Sequence, residues 1–251
     1  TLTFGLGLWY LQSLGYENGV YVALMLAALM WLFAALSYSR IQEYKGATEG
    51  AENGFLHALS KLKLLYQDKQ FAHFIITRAL LLCSALSAPF YIVLASEQAF
   101  DFSLLATFMA LSGLASLVSA PIWGRLSDLS SRKVLVFAAM LVTLNGFAVY
   151  LVAYLSPQTL NEFWLLPLCY FLLTVAHQGV RLGRKTYLVD MAEGNKRTDY
   201  VSVSNTVIGV ILLLLGSVGL LNTYLTTAEL IFFYSILGLL GAISAWFLPD
   251  A

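Results

Sequence analysis

Apolar residues gather along this chain into runs of about 20, separated by shorter polar or charged groups. A helix of that length crosses a hydrocarbon core about 30 Å thick. Lipid offers no partner to backbone N–H and C=O groups, so spanning segments are helices or strands of a closed barrel, and barrel strands would be shorter and would alternate. The pattern predicts an all-α integral membrane protein. The expected full spans are 18–38, 73–96, 102–122, 133–155, 163–183, 200–222 and 228–248.

Residues 1–13 are mostly apolar but too short to span, and they lack the basic flank and small-residue cleavage site of a signal peptide. We interpret them as part of a further helix, in a chain that begins inside it. The connectors 96–101, 156–162 and 221–228 are short. Successive spans are therefore expected to run antiparallel.

The charged residues separate by side of the predicted membrane. All 14 Lys and Arg residues fill or flank the long connector 39–72 or lie around the ends of the third and fifth full spans, on one side of the predicted membrane. The intervening connectors carry only acids. Cytoplasmic loops retain Lys and Arg, so this asymmetry predicts a multi-pass cell-membrane protein, in a bacterial inner membrane, with a cytoplasmic carboxyl end.

Composition excludes several classes of function. Apolar residues make up 59% of the chain and charged residues 11%, with no net charge, so nucleic acid is not an expected partner. No HExxH, CxxC or GxSxG motif occurs, and Cys83 and Cys169 lie in apolar runs without a ligand cluster. We expect neither an enzyme nor a metal site nor a cofactor.

The long connector 39–72 has two parts. A polar, glycine-containing stretch comes first, and FLHALSKLKLLYQDK follows from residue 55. In the second part apolar side chains recur at helical spacing opposite Lys61 and Lys63: Phe55, Leu59, Leu62, Leu65 and Tyr66. This predicts an amphipathic helix at the cytoplasmic membrane surface, its lysines toward headgroups. A solvated linker helix is the alternative.

A charged segment, GRLSDLSSRKVLV at 124–136, separates two apolar spans. Asp128 stands four residues before Arg132 and five before Lys133, so acid and base can pair across a turn and meet helix ends. Gly124 would permit a close neighbour or a turn conformation.

This segment resembles the signature loop of major facilitator transporters. The matching positions are Gly124, Leu126, Asp128, Arg132 and Lys133, whereas Leu129 and Ser131 depart from the family pattern. The resemblance places the loop between helices 8 and 9 of twelve. It implies three parts: the end of an N-terminal bundle at 1–38 (part of helix 5, then helix 6), a cytoplasmic linker at 39–72, and a six-helix C-terminal bundle at 73–251. Most of the N-terminal bundle would be missing from this chain and would be its partner.

The resemblance also implies a mechanism. Two six-helix bundles rock about a central site, and the signature loop locks one conformation when its Asp, here Asp128, meets a helix end of the other bundle. A turn held by local salt bridges, without a gating role, is the alternative.

The family arrangement surrounds the central cavity with helices 7, 8, 10 and 11. On helix 10, Tyr170, Thr174, His177 and Arg181 form one polar stripe with Gln178 beside it. Polar groups inside a membrane usually face protein or water. Packing for His177, and snorkelling toward the interface for Arg181, remain alternatives.

Two further cavity candidates are Tyr91 on helix 7 and Asn205 on helix 11. We interpret Asn145 on helix 9 as a packing residue, and Arg184 and Lys185 as interface anchors.

These features predict a secondary active transporter of small molecules that works by alternating access. The polar but nearly uncharged lining of the predicted cavity favours an uncharged or amphiphilic substrate. No acid lies in the interior of a predicted span. If transport is proton-coupled, the proton carrier is His177 or a carboxylate of the missing bundle. The competing interpretation is a non-transporting membrane subunit or receptor, whose polar stripe would lie in dry packing.

Overall fold

A computed structural model describes residues 19–41, 61–99, 102–192 and 196–250, with the isolated positions 7 and 10. The helices within these ranges are α1 (Gly19–Ser39), α2 (Leu64–Gln67), α3 (Lys69–Leu80), α4 (Cys83–Leu86), α5 (Ala88–Ala99), α6 (Phe102–Leu129), α7 (Ser131–Leu155), α8 (Leu165–Met191), α9 (Lys196–Gly216) and α10 (Thr227–Trp246). Two 3₁₀ segments, Pro157–Asn161 and Ser217–Thr223, follow α7 and α9.

Six segments of the described chain are long and apolar enough to cross a membrane: Lys69–Glu97, Ala106–Leu129, Ser131–Leu155, Leu165–Met191, Lys196–Thr223 and Thr227–Trp246. They coincide with the last six predicted spans. Helix α1 matches the first predicted span, and nearly all its described side chains are exposed. The expected partial helix at 1–13 lies almost entirely outside the described residues. The prediction of an all-α membrane fold is confirmed.

The span 69–97, predicted as one helix, is interrupted. Helix α3 ends at Leu80, and Leu81 and Leu82 form a turn. Its backbone hydrogen bonds reach back three residues, as from Leu82 N–H to the Ala79 carbonyl at 3.2 Å. Ser87 then separates α4 from α5. Helix α10 presses closely on the first break, because a Cβ on Gly241 would lie 2.8 Å from Leu81 Cδ2.

Helix α6 is longer than predicted. Its 28 residues correspond to about 42 Å, more than the hydrocarbon core, so its charged last turns extend beyond the lipid interior. The charged segment 124–136, expected to form a turn, is therefore helical except at Ser130. Ser130 alone separates α6 from α7 and caps α7 by accepting from Lys133 N–H at 3.3 Å.

Helix α7 is central to the bundle and packs most extensively against α10 and α8, while α8 also packs against α6. Two apolar clusters follow one another along the bundle. One contains Phe71, Leu135 and Tyr187, and the other contains Phe108 and Tyr234.

The described end of the linker docks on the bundle. Leu62 and Leu65 pack against the first apolar cluster, and Lys61 Nζ lies 2.6 Å from Asp199 Oδ2 on α9. Lys61 thus binds a carboxylate of the protein itself, where a lipid headgroup was expected. Tyr66, assigned to the apolar face, is 90% exposed, and it lies in the short helix Leu64–Gln67. Residues 42–60 lie outside the described part.

Candidate functional site

An open groove runs between α6 and α8. Its volume is about 310 Å³, and all its lining side chains belong to these two helices. Gln178 Nε2 donates to Ser116 Oγ at 2.9 Å across the groove. Arg181 and Lys185 also line it. Two members of the predicted polar stripe, Gln178 and Arg181, therefore face a groove wide enough for a small molecule.

A second, narrow cavity lies where α3 breaks. It holds about 20 Å³, roughly the space of one water molecule. Its polar lining consists of Thr77, Arg78, Ser84, His177, Arg181 and Arg184. Arg181 lines both spaces, so the narrow cavity and the groove are neighbours.

Helix α9 holds Arg78 in this cavity. Arg78 Nη1 donates to Ser204 Oγ, and Nη2 donates to Asn205 Oδ1 at 2.9 Å. Asn205, a predicted cavity residue, thus positions a cation. Sequence reasoning missed Arg78 and Arg184, which it assigned to the connector and the interface. The available signals were the place of Arg78 inside a predicted span and the three-residue spacing of Arg181 and Arg184.

The remaining stripe residues have different surroundings. His177 Nδ1 lies 3.1 Å from Ser84 Oγ across the narrow cavity. Thr174 Oγ1 donates to the Tyr170 carbonyl within α8 at 2.9 Å, and the Tyr170 ring meets Phe108 edge-on at 4.6 Å. The structure thus brings His177, Gln178 and Arg181 to the cavities, whereas Tyr170 and Thr174 line neither.

Tyr91 lies in the second apolar cluster and is 1% exposed. Asn145 Nδ2 donates to Tyr91 Oη at 3.0 Å and to the Cys169 carbonyl at 2.9 Å. These bonds satisfy polar groups inside the core, which favours a structural role for both side chains. Tyr91 borders neither cavity.

The signature positions differ from the expected pairing. Asp128 is exposed and makes no ion pair within the described chain, because Arg132 turns to Asp250 at 2.9 Å. A Cβ added to Gly124 would meet no described atom within 4 Å. Gly124 lies within α6, so neither a turn nor a close neighbour within the described bundle explains it. Leu126 packs against the first apolar cluster.

Asp68 connects the linker to the same end of the bundle. It caps α3 by accepting from Phe71 N–H at 3.0 Å and receives the Tyr200 hydroxyl at 2.5 Å. Partial burial raises the pKa of Asp68, but hydrogen bonds from Tyr200, Phe71 and Gln70, together with the charge of Lys196, outweigh it and lower the pKa below its usual value. The carboxylate is therefore well stabilised at neutral pH.

Comparison with known families settles the classification. The model of the Major Facilitator Superfamily matches residues 81–251. The chain belongs to this superfamily. No curated protein and no solved structure matches it.

Membership of the major facilitator superfamily confirms the resemblance carried by the signature segment. Its members are membrane transporters rather than enzymes, so the chain is a multi-pass membrane protein of a transporter family whose partners are small-molecule substrates and the bilayer.

Proposed function

We propose that the chain supplies one bundle of a secondary active transporter that works by alternating access. The carrying observation is the groove between α6 and α8, whose polar side chains Ser116, Gln178 and Arg181 face a space of about 310 Å³. No third described element contributes to its lining. In the proposed protein, a second bundle preceding this one covers the groove and completes the site.

The domain boundaries form part of the same proposal. Residues 1–38 end the first bundle, 39–72 link the two, and 73–251 form the second. The exposed apolar surface of α1 supports this assignment, because such a surface suits contact with lipid or further helices.

We propose that the carboxyl end is cytoplasmic. The pairs Lys61–Asp199 and Arg132–Asp250 lie at the basic end of the bundle, and Glu97 binds Thr227 at the other. This separation supports the orientation inferred from the positive charges.

Asp128 is the proposed gating residue of the signature segment. Its carboxylate is exposed at the end of α6 and has no ion-pair partner in the described ranges. It is thus accessible to a helix end of the other bundle, whose partial positive charge would stabilise it.

The proposed substrate is small. Of the two classes expected from the sequence, uncharged and amphiphilic, the mixed lining of guanidinium and apolar groups favours an amphiphilic one. Proton coupling through His177, or through a carboxylate of the other bundle, is part of this proposal.

The rival function, a non-transporting subunit or receptor, required the polar stripe to be packed dry. The placement of Gln178 and Arg181 along an open groove favours transport. The direct test is uptake and efflux by the complete protein in proteoliposomes, over a substrate panel, with and without a pH gradient. We expect substrate-dependent, saturable flux. Binding of a protein partner without flux under any gradient would support the rival.

A further inference from the structure

We propose that Arg78, Arg181 and Arg184 form a binding site for an oxyanion head group, so that the cargo is an amphiphilic organic anion. This inference rests on the proposed transport function, since it names the class of substrate.

The narrow cavity is rich in positive charge. Three guanidinium groups line it, and its described lining contains no carboxylate. Arg184 is half-buried and Arg181 is exposed, and neither has a hydrogen-bond or ion-pair partner in the described part of the chain. Cations within a membrane-spanning bundle are unfavourable unless an opposite charge compensates them. An anion in this cavity would supply that compensation.

Arg78 is held in place by α9. Ser204 and Asn205 bind its two terminal nitrogens, which holds the side chain at the cavity. Its Nε is buried and finds no partner among the described residues. A buried donor without an acceptor is uncommon in folded proteins. A guanidinium fixed in this way is prepared to bind an oxyanion through charge-assisted hydrogen bonds.

The two spaces differ greatly in size. The narrow cavity has room for about one water-sized group, such as one oxygen of a head group, and Phe74, Leu81 and Val180 supply apolar walls. Through Arg181 it adjoins the groove of about 310 Å³, which can receive a larger, less polar part of the same molecule. A carboxylate or a phosphate that places one oxygen in the narrow cavity, and an apolar body in the groove, suits this arrangement.

The test uses probes that share a tail and differ in the charge of the head: octanoate, octanamide and octylammonium. Their binding to the purified complete protein in non-ionic detergent is measured at pH 8 by isothermal titration calorimetry. We expect octanoate to bind at least about tenfold more tightly than octanamide and octylammonium not to bind, since each charge-assisted bond strengthens the anion complex.

The variants Arg181→Gln and Arg184→Gln should each weaken octanoate binding about tenfold and change octanamide binding less than twofold. Arg184→Lys keeps the charge and should restore part of the affinity. Arg125→Gln is the matched control, because Arg125 is exposed and lines neither cavity. Thermal unfolding of each variant verifies its fold.

Equal affinities for octanoate and octanamide would overturn the anion site, as would an equal loss in Arg125→Gln and Arg184→Gln. If a carboxylate of the protein itself fills the cavity, octanoate will not bind the wild type and the inference fails. Saturable flux of octanamide without preference for octanoate would leave transport intact and remove the anion site. Arginine-dependent octanoate binding without flux in proteoliposomes would support the anion site and contradict transport.

Discussion

Arg132 joins the beginning of α7 to the residues that follow α10. Its Nη2 lies 2.9 Å from Asp250 Oδ1, and its Nη1 donates to the Leu248 carbonyl at 3.1 Å. The sequence pointed instead to Asp128, four residues away. The partner actually used lies 118 positions further along the chain, and only the folding of α7 against α10 brings it near.

The two bonds of Arg132 should differ in energy. Asp250 is largely exposed, so Asp250→Asn should lower the free energy of unfolding by less than about 1 kcal/mol. Arg132→Gln also loses the bond to Leu248 and should cost about 1 kcal/mol more. Chemical unfolding in detergent measures both, with the exposed Lys133→Gln as control. Equal losses in all three variants would contradict a specific role for Arg132.

Asp128→Asn should slow the conformational cycle and leave substrate affinity nearly unchanged, because the exposed carboxylate is proposed to act only on the other bundle. Exchange flux in proteoliposomes and equilibrium binding in detergent separate these effects. Glu162→Gln removes an exposed carboxylate at the opposite end of the bundle and should leave both unchanged. A matching loss of affinity in Asp128→Asn would refute the gating role.

Tyr200→Phe should lower the free energy of unfolding by about 1 kcal/mol at pH 7, since it removes the hydroxyl bound to Asp68 and keeps the ring stacked on Phe71 at 4.4 Å. The pKa of Asp68 is lower in the folded than in the unfolded chain, so its contribution is present above the usual value of 3.8 and is lost as the pH falls below it.

The difference in free energy of unfolding between the wild type and Tyr200→Phe should therefore become smaller below about pH 4. Tyr66→Phe serves as the matched control, because Tyr66 is 90% exposed. Asp68→Asn keeps a good helix cap and should show the same pH dependence as Tyr200→Phe. A constant difference between pH 7 and pH 3 would exclude the carboxylate as the source of the effect.

Gly179 and Gly209 form a matched pair for packing. A Cβ on Gly179 would lie 2.6 Å from Trp123 Cε2 and 2.9 Å from Ala138 Cβ, so Gly179→Ala should destabilise the bundle by about 1–3 kcal/mol. A Cβ on Gly209 would meet no described atom within 4 Å, and Gly209→Ala should be neutral or stabilising by up to about 1 kcal/mol. Thermal unfolding compares them. Equal stability of the two variants would contradict the close approach of α8 to α6 and α7.

His177→Ala should change the pH dependence of transport if His177 carries the coupled proton, and Ser84→Ala should change it less, since Ser84 only binds the ring at 3.1 Å. His73→Ala is the control, because His73 lies on α3 outside both cavities. The measurement is initial flux between pH 5.5 and 8. A profile identical to that of the wild type would assign His177 to packing.

In this chain the local pattern of apolar residues predicts the helices well, but it does not predict which helices contact each other. The predicted span 133–155 differs from Ser131–Leu155 by two residues, because the apolar run itself sets the length of the helix. The break at Leu81 and Leu82 had no local signal, since neither glycine nor proline stands there. It coincides with the close contact from Gly241, which depends on the packing of α10.

The candidate site shows the same limit. The helical spacing of His177 and Arg181 predicted a shared polar face on α8, and both side chains line the narrow cavity. The hydrogen bond from Arg78 to Asn205 crosses 127 positions, so no local pattern could reveal that these side chains meet. The composition of one helix face could be predicted, whereas the charge collected at the cavity required three helices in place.

The single residue between α6 and α7 has a mechanical consequence. With only Ser130 outside helical geometry, a displacement of the end of α6 must be accompanied by a displacement of the start of α7. Helix α7 packs in turn against α8 and α10. The departures from helical geometry at Leu81, Leu82 and Ser87 lie elsewhere, in the segmented span of α3, α4 and α5 beside the arginine-lined cavity.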